Sequence, residues 1–125
     1  MRFHFKSFAM LTMLVGSFTA CCSAVNALEI NAKNTAGILT AITDKKLIND
    51  KGYIILKSDG KIEGMSDGKS VTGDWSEKDG FYCRSMAVGD GRVDIDCQII
   101  LNTDDGLIFH RHKGAGRKVG PYKAQ

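Results

Sequence analysis

Beyond residue 27 the sequence has no apolar run long enough to cross a membrane, no Cys-x-x-Cys pair, and no acid in its last twenty residues. Each absence excludes something. A helix needs about 20 apolar residues to span a hydrocarbon core about 30 Å thick, so no transmembrane segment is expected after residue 27. Structural zinc sites draw on closely spaced cysteine pairs, so no metal is expected. The Asp-rich turns lack the ligand series and closing Glu of a calcium-binding EF-hand. Gly114-Ala115-Gly116 followed by Gly120 has the look of a phosphate-binding loop. Such a loop must open a helix, and the chain has five residues left after Gly120. No cofactor is therefore expected. Tyr122 is the sole aromatic among the C-terminal cations, so there is no stacking platform for nucleic acid.

What is present begins with an export signal. Arg2 and Lys6 precede the apolar run Phe8-Ala9-Met10-Leu11-Thr12-Met13-Leu14-Val15, and small residues follow, ending in Val25-Asn26-Ala27. This order predicts a signal peptide over residues 1–27, with Leu28 as the mature N-terminus. Phe18-Thr19-Ala20-Cys21 also resembles a bacterial lipobox. Lipidation of Cys21 would anchor the chain to a membrane, where cleavage after Ala27 would release it to the periplasm or medium. Residues 28–125 are the length of one domain.

Cys83 and Cys97 are the only cysteines after residue 27. An even pair in an oxidising compartment reads as one disulfide. The register depends on the turn between them. A three-residue loop, Gly89-Asp90-Gly91, is expected, because it sets Val88 opposite Arg92 and Cys83 opposite Cys97. A two-residue Asp90-Gly91 turn sets Cys83 opposite Gln98 instead.

Five Asp-Gly pairs punctuate the domain at residues 59, 67, 79, 90 and 105. Asp-Gly between apolar runs is a hairpin signal, because Gly adopts positive φ freely. The spacing leaves no room for crossover helices, so the sheet is antiparallel. Strands are expected at 53–57, 61–65, 70–76, 81–88, 92–101 and 107–112, with a short leading strand at 46–48. A helix is expected at roughly 35–45, capped by Asn34 or Thr35, with Ile38, Leu39 and Ile42 as its apolar stripe. The fold class is mainly β: an antiparallel meander of six to seven strands, a small barrel or curled sheet, with one N-terminal helix. Alternation places Val93, Ile95, Cys97, Ile99 and Leu101 on the buried face, with Arg92, Asp94, Asp96 and Gln98 on the wet face. Gly73-x-Trp75 marks a core tryptophan beside a small residue, as in lipocalin and avidin-like barrels. The domain is too short for the eight long strands of a lipocalin, though a barrel can still enclose a small apolar ligand.

Charge is unevenly spread. Residues 28–105 carry 10 Lys+Arg and 14 Asp+Glu, and residues 106–125 carry 5 Lys+Arg and no acid. From about residue 113 the chain reads as a basic flexible tail. It either meets an anionic envelope polymer or folds back on the acidic body. The candidate ligand or anion contacts are His110, Arg111, His112, Lys113, Arg117 and Lys118. His110 and His112 would share one face of a strand through residue 112. They are the only defensible catalytic suspects, but no nucleophile or carboxylate partner stands beside them in sequence. Asp94 and Asp96 also share a face, where solvation explains them better than glycoside hydrolysis. No catalytic residue is assigned. The expected function is a non-enzymatic binding or accessory module of the cell envelope. The alternatives are a small exported enzyme using His110 and His112, or a charge-driven binder acting through the tail.

Gly73-x-Trp75-x-x-x-Asp79-Gly80-x-Tyr82-Cys83-Arg84, with Cys97 downstream, resembles small exported bacterial proteins of unknown function. The resemblance covers roughly residues 47–109. It implies export, a disulfide and a compact β domain, and it adds no catalytic residue. Some members carry the label dihydrodipicolinate reductase, which implies a cytosolic nicotinamide-dependent enzyme of Rossmann fold. Neither that fold pattern nor that address is present in this sequence.

Overall fold

The computed structural model describes residues 27–125, with side chains from Asn31 onward. The segment read as a signal peptide, apart from Ala27, and with it Cys21, lies outside the described residues. One helix, α1 (Ala27–Ile42), leads into eight strands: β1 (Lys46–Asn49), β2 (Gly52–Leu56), β3 (Lys61–Ser66), β4 (Lys69–Lys78), β5 (Phe81–Val88), β6 (Gly91–Thr103), β7 (Gly106–His110) and β8 (Lys118–Ala124). Each strand pairs antiparallel with the next, and β8 pairs back onto β1, which closes a barrel. No described helix is long and apolar enough to cross a membrane.

Turn chemistry sets this order. Asp67-Gly68 and Asp79-Gly80 form two-residue hairpin loops with positive φ at both positions, the geometry whose twist matches the flanking strands. Gly80 is also needed for space. A Cβ there would come within 2.7 Å of the Ala32 carbonyl oxygen, because α1 rests directly on this turn. Gly73 is required for a similar reason. A Cβ there would lie 2.3 Å from the Ser85 carbonyl oxygen and 2.7 Å from the Met86 Cβ. It makes room for β5 rather than for Trp75. The half-buried Trp75 donates its indole N–H to the Lys57 carbonyl at 2.8 Å and packs against the core.

The barrel interior is apolar at the end that α1 covers. Leu39 and Ile42 from the helix join Leu47, Leu56, Ile62 and Ile100 there, all 5% exposed or less. Tyr82, Phe109 and Tyr122 stack edge to face across the interior, at centroid separations of 5.4 and 5.3 Å, a favoured aromatic geometry.

The helix starts well before its expected cap. Thr35 is not a cap but a fully buried mid-helix residue. Its hydroxyl donates to the Asn31 carbonyl at 2.7 Å and accepts the Ile100 backbone N–H at 2.9 Å. β6 pairs with β5 up to Gln98 and with β7 from Ile99 on, so Thr35 supplies Ile100 with the acceptor that a strand would have supplied.

The disulfide forms as expected, with Cys83 opposite Cys97. The loop does not. Val88 pairs with Gly91, leaving a two-residue Gly89-Asp90 turn, and the register shifts by one between Arg84 and Met86. Asp94 and Ile95 together face Ser85, forming a β-bulge. A three-residue loop and a two-residue loop plus a bulge add the same one residue, so both bring the cysteines together.

The bulge also inverts the expected faces of β6. Asp96, Gln98 and Ile100 point into the barrel and are buried, while Ile95 is 79% exposed. Cys97, Ile99 and Leu101 point outward, where Ile99 packs with Phe81 and Ala32 of α1. The helix therefore covers an apolar stripe on the outside of the barrel wall as well as its end.

The C-terminal segment is not a flexible tail. Residues 112–114 make a single tight turn, and β8 is the strand that closes the barrel. This corrects the boundary drawn at about residue 113 and raises the strand count to eight.

Replacing Thr35 with Val keeps the shape but leaves the buried Ile100 N–H without an acceptor. That substitution should destabilise the domain by about 1–3 kcal/mol, and Thr35→Ser should recover most of the loss. Denaturant unfolding of the three proteins checks this; a Thr35→Val midpoint equal to that of the unchanged chain would contradict it.

Candidate functional site

Three features gather around β6: a buried polar cluster, an exposed isoleucine at the bulge, and a rim of cations. The cluster begins with Asp96, whose side chain is 4% exposed. Its carboxylate accepts the Gln98 amide at 3.0 Å, the His112 backbone N–H at 3.1 Å, and Arg111 Nε at 3.4 Å. His112 Nδ1 lies 3.2 Å away. Burial pushes the Asp96 pKa up, but the hydrogen bonds from Gln98, the His112 backbone and Arg111 outweigh it. The carboxyl is held below its ordinary value.

These contacts hold a strained turn. His112 and Lys113 both adopt left-handed backbone, at φ 51° and 54°. Such conformations cost of order 1 kcal/mol or more each for non-glycine residues. The Asp96 carboxylate offsets this by accepting the His112 N–H, and the Arg111 carbonyl accepts N–H groups from Gly114 and Gly116. Lys113 lays its ammonium over the Phe81 ring at 4.8 Å. Arg84 is the second buried ion. It is 5% exposed, and Nη1 donates to the Asp94 carbonyl in the bulge. Burial pulls its pKa down, and the nearby Arg111 adds to this.

The sequence-derived candidates are thus separated. The strand expected through His112 ends at His110, the last residue of β7, which pairs with Ile99 of β6. His112 sits in the turn beyond, so the two imidazoles do not share a strand face. No group of three His, Cys, Asp or Glu residues that could hold a metal occurs among the described residues. Asp94 is exposed and Asp96 buried, which breaks the expected pair of solvated carboxylates. His112 does meet a carboxylate. A histidine oriented by an acid is the base half of a catalytic triad. None of the described hydrogen bonds joins His112 to a hydroxyl or thiol, however, and the same Asp96 oxygens bind its backbone.

Ile95 is the one large hydrophobic residue exposed among the described residues. It stands between two open grooves. One, of about 530 Å³, is lined by Thr72, Asp74, Met86, Arg92 and Asp94; the other, of about 310 Å³, by Trp75, Ser76, Cys83 and Arg84. Ile95 was placed in the core by its alternation with Val93 and Cys97. Ile95 does share a face with Cys97, but that face is the outer one, and an apolar alternation does not say which side of the sheet it lies on. Asp96 was hidden in the same way.

The cations split between two places. Arg111, His112 and Lys113 belong to the strained turn. Arg117, just before β8, and Lys118, its first residue, line a third groove, of about 250 Å³, together with Lys51 from the β1–β2 turn. Lys51 stands 66 residues before Arg117 in the sequence, and nothing there linked the two.

Asp96→Asn should release the His112–Gly114 turn and lower stability by about 1–3 kcal/mol, as when buried donors lose a charged acceptor. The effect has a pH signature. Because the folded pKa is depressed, the stabilisation is fully present above the unfolded carboxylate value of about 3.9 and is lost as pH falls through the folded value. Urea unfolding of both proteins from pH 7 to pH 2 should show the gap closing at the acid end. A gap independent of pH would show that Asp96 acts by shape alone.

No protein-family model, curated protein or solved structure matches this chain.

Proposed function

We propose that the domain is a non-enzymatic binding module of the bacterial cell envelope, and that it acts as an accessory protein by docking Ile95 into an apolar pocket of a partner protein. The observation that carries this reading is the way Ile95 is held. Burying Arg84 costs desolvation energy, yet Arg84 is spent on clamping the carbonyl of Asp94, next to Ile95. The disulfide joins Cys83 and Cys97 two residues further on. Asp96, the following residue, is fixed by three donors. A side chain exposed to 79% gains nothing for folding from such bracing. Bracing does serve binding, because an anchor already fixed in its bound position loses little entropy on docking.

The surroundings favour a protein over other occupants. Arg92 and Asp94 line the adjacent groove, with Asp74 paired to Lys61. An apolar centre inside a rim of both charge signs matches the anatomy of protein interfaces. A membrane surface would call for a broader apolar face, and the acids would repel a polyanion. The envelope address rests on the signal-like residues 1–27 and on the disulfide, which suits an oxidising compartment.

Ile95→Asp should leave stability within about 0.5 kcal/mol, as for other exposed sites, and should weaken docking by roughly tenfold or more, while Ile95→Val retains most of it. A partner recovered from the source envelope with the unchanged chain, then purified and titrated against the three proteins, provides the measurement. Equal affinity for Ile95→Asp would overturn the reading. Sedimentation that shows a dimer lost in Ile95→Asp would assign the surface to a second copy of this chain instead.

A further inference from the structure

The seam between the first and last strands is open at one end. β1 and β8 pair only at Leu47 with Ala124 and at Ile48 with Lys123. β8 extends further, to Lys118, with β7 as its partner there. The opening forms the groove of about 250 Å³, walled by Asn49, Asp50 and Lys51 on one side and by residues 117–121 on the other. Lys51, Arg117 and Lys118 are all exposed. None of them belongs to an ion pair among the described residues. Asp50 is the single acid lining the groove. Pro121 has no backbone N–H and so blunts the β8 edge against pairing with another strand.

We propose that this open β1–β8 seam is a binding site for a linear polyanion, held by Lys51 on one wall and by Arg117 and Lys118 on the other. Three cations converge from two segments that are distant in sequence, facing one acid. The groove is open at the surface, which suits a chain passing through it better than an enclosed small ion. Exposed cations each contribute little, but several contacts to one polymer sum, and binding gains further from release of the polymer's counterions. The site lies in the seam and not on the bulge that carries Ile95, so the two are independent.

Long-chain polyphosphate and polygalacturonate are the probes, with inorganic phosphate and monomeric galacturonate as controls; the polymer that binds tells phosphate from carboxylate. At least one polymer should bind at low salt, with monomers bound far more weakly per charged group. The log–log salt slope should be roughly −2 for three contacts at about 0.7 each. Lys51→Glu should weaken binding as much as Arg117→Glu or Lys118→Glu does, by roughly threefold or more each. Lys33→Glu, on α1, should change nothing, and thermal melts should confirm that every variant is folded. A Lys51→Glu variant that binds like the unchanged chain would overturn the site, because the C-terminal cations would then act alone. Salt-independent binding, monomers that bind as well as polymers, or no binding to either polymer would overturn it equally.

Discussion

One extra residue in β6 governs this molecule. At the bulge, two residues of β6 face Ser85 alone, and every side chain beyond it exchanges inside for outside. Val93 packs near Met86 on the turn side, while Asp96, Gln98 and Ile100 enter the barrel further along. Without the inversion Cys97, Ile99 and Leu101 would face inward, and α1 would have no apolar stripe to cover. Asp96 would face water, and nothing would hold the turn at His112. The bulge thus connects the docking of the helix, the anchoring of the C-terminal turn and the closure of the barrel by β8.

The inversion places charge where a small barrel usually places hydrocarbon. Arg84 and Asp96 are both buried, and each is satisfied mainly by neighbours other than an opposite charge in direct contact. Arg84 reaches a bulge carbonyl, and Asp96 gathers an amide, a backbone N–H and the partly exposed Arg111. Buried ions of this kind seldom add net stability, but removing one partner is costly. Their effect here is positional: they fix the bulge from the inside while the disulfide fixes it from the outside. The C-terminal turn then delivers the chain into β8 at the orientation that closes the seam at one end and leaves it open at the other.

Several of these features were legible in the sequence, and the limits have physical causes. The hairpins at residues 67–68 and 79–80 could be read because Asp-Gly favours the backbone those turns use. The disulfide could be read because its register depends only on the total number of residues between the cysteines. How that total divides between turn and strand is invisible to counting, so the loop and the bulge were misplaced; Ile95 and Asp96 were misplaced because the apolar alternation of β6 marks the outer stripe that packs with α1 and not the barrel interior. Thr35 resembled a cap because threonine favours that position; its hydroxyl serves a strand distant in sequence instead. β8 was hidden by Gly120 and Pro121, which argue against a strand wherever both neighbours need the backbone N–H. Here one side of that stretch of β8 borders the open groove. Lys51 could not be joined to Arg117 and Lys118 before the barrel closed.

The register of β5 against β6 is the measurement closest to the centre of this account. Cross-strand proton contacts by NMR should pair Val88 with Gly91 and Met86 with Val93 on the turn side, and Arg84 with Asp96 and Cys83 with Cys97 beyond the bulge. Continuous pairing from Val88 opposite Arg92 through to Cys83 opposite Cys97, with a three-residue turn and no bulge, would contradict it. Arg92 and Asp94 would then face into the barrel opposite Val88 and Met86, and Val93 would turn outward opposite Ala87.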